Sequence, residues 1–227
     1  MTNVISAANQ LGQSIWYDNI SRSLINSGEL EDLIQLGVSG ITSNPTIFEK
    51  AISDSLDYDK EILEAAPLYL TPTQTFYHLA KNDVRVASDL LRPIYDKTNG
   101  VDGYISLEVN PTLANSTTET ISEAINLFQM LERPNVMIKV PATEAGIPAI
   151  RDLIKEGINV NVTLIFSLDM YKQVMESYIA GLEDRANLGK DISQIGSVAS
   201  FFVSRIDTKI DPMINKTIKL GNSNSNH

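Results

Sequence analysis

The chain has 227 residues, 43% hydrophobic and 20% charged, with 28 Asp and Glu against 18 Lys and Arg for a net charge of −10. That length and composition suit a globular chain with a substantial core, and so acidic a surface lacks the basic face that nucleic acid requires. Cys is absent and only His78 and His227 are present, which argues against disulfides, thiolate chemistry and a histidine-rich metal centre.

The first residues, MTNVISAANQLGQSIW, lack the basic start and continuous apolar run of a signal peptide. No stretch is long and apolar enough to span a bilayer, so no membrane partner is expected and the cytoplasm is the default location. Along the chain, short β-type runs alternate with helical patterns. The expected strands are Ser14–Asp18, Ser39–Asn44, Tyr104–Val109, Val136–Val140, Val160–Ile165 and Ser197–Val203. Gly37 and Gly157 stand where helices end before strands. Thr71-Pro72 opens a long helix, with Thr71 as its cap. Ser116 to Glu119 reads as a capping box, and Ser167 caps the segment of Met170, Val174, Tyr178 and Leu182. Repeated βα units imply a parallel sheet, doubly wound or closed into a barrel. The chain reads as one domain over residues 1–220, followed by a polar, disordered tail over 221–227.

The most informative residue is Lys139. It lies in the apolar run Val136-Met137-Ile138-Lys139-Val140-Pro141, where a buried ammonium is costly unless it has a task. An amine at the end of a strand can attack a carbonyl to form a Schiff base; an isolated lysine of this kind more often lays its stem on apolar surface and reaches water. The other strand ends are polar too: Asp18, Asn44 and Glu108, then Asn161 with Thr163 on one face of strand five, and Ser200 with Phe202 before Arg205. Each has a plain structural explanation alone. Asn44-Pro45 suits a helix N-cap, Asp18-Asn19 a cap after strand one, Glu108 a strand-to-loop junction, Thr163 and Ser200 strand packing, and Arg205 a surface pair with Asp207. Six strands carrying such groups at one end is the arrangement of an α/β active site. No G-x-G-x-x-G follows the first strand, which argues against a dinucleotide site.

These motifs, taken together, resemble the transaldolase family. They are Ile15-Trp16-Tyr17-Asp18-Asn19, Gly40 to Thr46 (GITSNPT), Ile105 to Val109 (ISLEV), Met137 to Thr143 (MIKVPAT), Gly157 to Ser167 (GINVNVTLIFS) and Ser200 to Asp207 (SFFVSRID). Their order and spacing agree from about Leu11 to about Asp211, and the wording is closer to the longer bacterial transaldolases than to the short fructose-6-phosphate aldolase branch. Phe202 stands where that branch typically has tyrosine. The resemblance implies a (β/α)8 TIM-type barrel and a class I mechanism without metal or cofactor, acting on small phosphorylated sugars. By motif, Lys139 forms the Schiff base, Glu108 with Thr163 and a water handles carbinolamine dehydration, and Asp18 takes the substrate hydroxyl proton. Asn44, Asn161, Ser200 and Phe202 are expected to contact the substrate, the first three through the dihydroxyacetone hydroxyls, and Arg205 to bind the phosphate. The implied reaction moves dihydroxyacetone from sedoheptulose 7-phosphate to glyceraldehyde 3-phosphate, in the non-oxidative pentose phosphate pathway.

The chain departs from the family in having about six strands where eight close a barrel. The resemblance implies two further βα units and a second phosphate-binding arginine; here a Lys-containing helical stretch, Asp211–Lys219, follows instead. Strands one and six are then open edges, a route to homo-oligomers or aggregation. Three readings stay open: a working transaldolase completed by oligomerisation or by closure between strands one and six, a truncated non-catalytic remnant, and a sugar-phosphate binding module without turnover.

Overall fold

Side chains along a strand point alternately to its two faces, and here that alternation separates helix-facing apolar residues from polar ones facing the interior. The computed structural model describes residues 3–224, with side chains through residue 218. In chain order the elements are α1 (Val4–Gln10), β1 (Trp16–Tyr17), α2 (Arg22–Asn26), α3 (Glu29–Leu36), β2 (Gly40–Ile41), α4 (Pro45–Ser53), α5 (Asp59–Ala65), a 3-10 turn at Ala66–Leu68 and α6 (Pro72–Lys97). There follow β3 (Ile105–Glu108), a second 3-10 turn at Pro111–Leu113, α7 (Thr117–Leu131), β4 (Val136–Pro141), α8 (Gly146–Glu156), β5 (Val160–Ile165), α9 (Leu168–Asn187), β6 (Ser197–Phe201) and α10 (Val203–Asn224).

The six strands pair in parallel in the order β1-β2-β3-β4-β5-β6. The result is a curled, incomplete (β/α)8 barrel whose edges are β1 and β6. Among the described residues β1 and β6 do not pair, so both are open edges, as six strands imply, and the alternative of closure between them is not made. Outward residues of the middle strands, among them Ile105, Leu107, Val136, Ile138, Val140, Val160 and Val162, pack with Leu91, Leu127, Leu131, Ile150, Leu153 and Ile154 of the surrounding helices in one buried core. At the amino-terminal end of the interior, Tyr104 and Met137 pack with Tyr95, Trp16 and Val198. Gly40 makes room there: a Cβ would lie 2.4 Å from the Trp16 ring, which is fixed by an indole N–H donating to Asp102 at 3.0 Å.

Local signals account for most helix ends. Thr71 and Gln74 form a reciprocal capping box on α6, Ser167 accepts from the Met170 N–H, and Gly37 and Gly157 end α3 and α8 at φ +112° and +91°. Four expectations change. Ser116 occupies the cap of α7 without a side-chain capping bond; that entry is held instead by Ser116 N–H and the Thr120 hydroxyl, both donating to Leu113 O. Ser21, and not Asp18 or Asn19, caps α2, accepting from Leu24 N–H at 3.1 Å. β1 and β2 are only two residues each, because the chain turns away early to meet the caps at Ser21 and Asn44. And α10 begins at Val203 and continues to Asn224, so residues 221–224 of the expected tail are helical, while 225–227 lie outside the described residues. Among the described residues, no helix is long and apolar enough to cross a membrane.

Candidate active site

The carboxyl ends of the strands surround a cavity of about 630 Å³. Lys139 enters it from β4, where alternation sends Val136, Ile138 and Val140 outward and Lys139 inward. The residue is 6% exposed. Its Nζ donates to the main-chain carbonyl of Ser43 at 3.1 Å and lies 3.6 Å from Glu108 Oε2. Glu108 is paired with Lys139 in the sheet register, which brings the two side chains together. Burial raises the Glu108 carboxyl above the usual carboxylate range, and the neighbouring Lys139 charge only partly opposes that.

Thr163 lines the cavity from β5, 1% exposed, and its buried hydroxyl has no protein partner. Such a group is costly unless a ligand or water completes it. Beside it the chain is irregular: the β5–β6 register shifts between Val162 and Ile165, and Leu164 adopts φ +62°. Asn161, on the same inward face, is buried below the cavity. Its amide donates to Ser106 Oγ at 2.9 Å and its carbonyl accepts from Ser200 Oγ at 3.0 Å.

The remaining expected residues converge on the same space, although several lie beyond their strands. Asp18 is the first residue past β1 and is exposed at the open edge. Asn44 caps α4, its carbonyl oxygen accepting from Ile47 N–H at 3.0 Å, which leaves the amide –NH₂ as a donor for a ligand. Ser200 lies on β6. Phe202 follows it, stacked on Phe166 with ring centroids 5.5 Å apart. Arg205 is in the first turn of α10, its guanidinium carbon 5.0 Å from the centre of the Phe202 ring. No ion pair joins it to Asp207 among the described residues, so the surface pairing considered for it is not made.

Sequence reasoning missed Thr42 and Lys50, which also line this cavity. The Thr42 hydroxyl is buried without a partner; its place two residues before Asn44 within the expected strand Ser39–Asn44 was the available signal. Lys50, on α4, had none.

The description Transaldolase/Fructose-6-phosphate aldolase matches residues 15–226 of the chain. The chain belongs to the transaldolase/fructose-6-phosphate aldolase family. It is 53% identical over 214 residues to Transaldolase 2 of a Nostoc species, covering 93% of this chain and 56% of that protein. It is 49% identical over 220 residues to the transaldolase of Trichodesmium erythraeum, covering 96% and 58% respectively. To the transaldolase of Mycobacterium marinum it is 47% identical over 208 residues, covering 91% and 56%. The chain thus spans a little over half the length of these transaldolases, and the family match over residues 15–226 contains every strand described above.

Proposed function

We propose that the chain carries the Schiff-base chemistry of a transaldolase, moving a dihydroxyacetone unit from sedoheptulose 7-phosphate to glyceraldehyde 3-phosphate, to give erythrose 4-phosphate and fructose 6-phosphate. The observation that supports this most is the Lys139 amine, buried on the inward face of β4, 3.6 Å from a buried carboxyl. The Lys139 nitrogen adds to the ketose carbonyl; the carbinolamine then loses water to leave an iminium. Glu108 relays the proton for that loss, a task suited to a carboxyl held above its usual range. The unpartnered Thr163 hydroxyl can hold the departing or relaying water.

Asp18 takes the proton of the hydroxyl at C4 as the C3–C4 bond breaks. The bonding pair moves into the iminium, which becomes an enamine, and the aldose phosphate leaves. The enamine then attacks the acceptor aldehyde, and hydrolysis frees Lys139. Asn44 and Ser200 bind the dihydroxyacetone hydroxyls, Asn161 orienting Ser200, and Arg205 on its Phe202 platform binds the phosphate. The pathway served is the non-oxidative pentose phosphate pathway.

Borohydride reduction in the presence of fructose 6-phosphate, followed by peptide mass analysis, tests this reading. The expected product is a three-carbon adduct on Lys139; a folded sample with no adduct refutes it. The exposure of Asp18 at an open edge favours, as the second reading, a sugar-phosphate binding module without bond cleavage. That reading requires saturable binding that survives Lys139→Ala and is lost in Arg205→Ala.

A further inference from the structure

Two peptide groups just past the end of β3 are held by side chains from the helices on either side of it. The last rung of the β3–β4 ladder is Val109 N–H donating to Lys139 O at 3.1 Å. The Tyr77 hydroxyl, on α6, donates to the carbonyl of Glu108 at 3.2 Å and lies 3.4 Å from Glu123 Oε2. The same Glu123 oxygen, on α7, accepts the N–H of Asn110 at 2.5 Å. Tyr77 is buried, and its phenol is pushed up by burial, with Glu123 and then Glu108 adding to the effect. Backbone groups past a strand end are ordinarily left to water or to a neighbouring loop. Here a buried phenol and a carboxylate take that place, and hydrogen bonds to a charged acceptor are about twice as strong as neutral ones.

We infer that Tyr77 and Glu123 are positioning residues for Glu108, fixing the main chain on both sides of Val109 so that the Glu108 carboxyl stays against the Lys139 amine. This rests on the Schiff-base reading above. Val109 is bonded to the main chain of Lys139 itself, so restraining residues 108–110 sets the backbone of the acid relative to that of the amine. Without the clamp, the end of β3 drifts from β4 and water reaches the carboxyl. The titratable and charged groups around Glu108 are Lys139 on β4, Tyr77 and Glu123 behind it, and Asp18, Lys50 and Arg205 about the cavity. Only the first three are touched by the clamp.

The experiment measures the rate of borohydride-trapped adduct formation with fructose 6-phosphate, as a function of pH and sugar concentration, in the wild type, Tyr77→Phe, Glu123→Gln and Glu123→Ala. In Tyr77→Phe the maximal rate is expected to fall roughly tenfold, with half-saturating sugar concentration unchanged. The pH midpoint set by Glu108 is expected to move down, as its carboxyl gains water and returns toward the ordinary range. Glu123→Gln keeps an oxygen for Asn110 N–H and restores most of the rate lost in Glu123→Ala. This last pair decides the question if Tyr77→Phe does not fold. An unchanged rate and midpoint in Tyr77→Phe, or a wild-type rate in Glu123→Ala, overturns the inference while leaving the Schiff base intact. A wild type that forms no adduct overturns the functional reading, and the inference with it.

Discussion

Lys139 reaches past β3 to the segment that follows β2: its Nζ donates to the main-chain carbonyl of Ser43 at 3.1 Å. The bond holds the amine in place without using a side chain, so Lys139→Met removes the proposed nucleophile while keeping most of the stem volume. The variant is expected to form no adduct. It also leaves Glu108 buried without its counter-charge, at a cost of about 3–5 kcal/mol at neutral pH. That cost should fade once the carboxyl is protonated. Urea denaturation at several pH values checks both parts; an equal loss at pH 3 and pH 7 contradicts the pairing.

Glu108 sets a pH dependence of its own. Its folded carboxyl is raised, chiefly by burial, so the folded state binds the proton more tightly than the unfolded chain. Below about pH 4.3 both states are protonated and the group contributes no penalty. Stability then falls as pH climbs through the raised folded value. In Glu108→Gln this decrement is expected to be absent, which shows as a flatter curve of unfolding free energy against pH. An identical slope in the variant and the wild type removes Glu108 as the source.

A second buried charge cluster joins α2 to α6. Asp83 accepts from Arg22 Nε at 2.9 Å and from the Tyr58 hydroxyl at 2.7 Å, while that hydroxyl accepts the Arg22 N–H at 3.0 Å. Asp83→Ala leaves the Arg22 guanidinium with Glu61, at 2.6 Å, as its remaining counter-charge, and should destabilise the fold by about 3 kcal/mol as two charge-assisted hydrogen bonds are lost. Tyr58→Phe, which removes one buried partner, should cost about 1–3 kcal/mol. Chemical denaturation curves distinguish the two, and an Asp83→Ala loss below that of Tyr58→Phe argues against a paired cluster.

Leu164 sits at φ +62° in the β5 irregularity, 42% exposed. A left-handed conformation costs a non-glycine residue roughly 1–2 kcal/mol, and little burial is lost on removing this side chain. Leu164→Gly is therefore expected to leave thermal stability unchanged or slightly higher, whereas Leu164→Val, β-branched, should lower it. A melting temperature lower for Gly than for Val shows that packing, not backbone strain, decides this position.

Legibility from sequence varied with the range of the interaction. The inward direction of Lys139 follows from strand alternation within one apolar run, and the caps at Asn44, Thr71 and Ser167 from neighbours three residues on. The incomplete barrel was readable because each βα unit carries its own motif. Asp18 and Asn44 were placed on strands that stop short of them, since the pull of the following helix cap competes with the ladder and the sequence does not show which prevails. The grip of Tyr77 on the Glu108 carbonyl, 31 residues away, left no periodic or spacing signal. Nor did the bond from Lys139 to Ser43, which depends on a carbonyl that every residue possesses.

The shortness of β1 has a kinetic consequence. Asp18 hangs from a strand of two residues at the border of the sheet, whereas Lys139 belongs to a six-residue strand with neighbours on both sides. Fraying on gentle warming should reach the border first. On the proposed mechanism, sugar capture would then outlast sugar scission, and a heated sample would accumulate covalently loaded protein that no longer releases aldehyde.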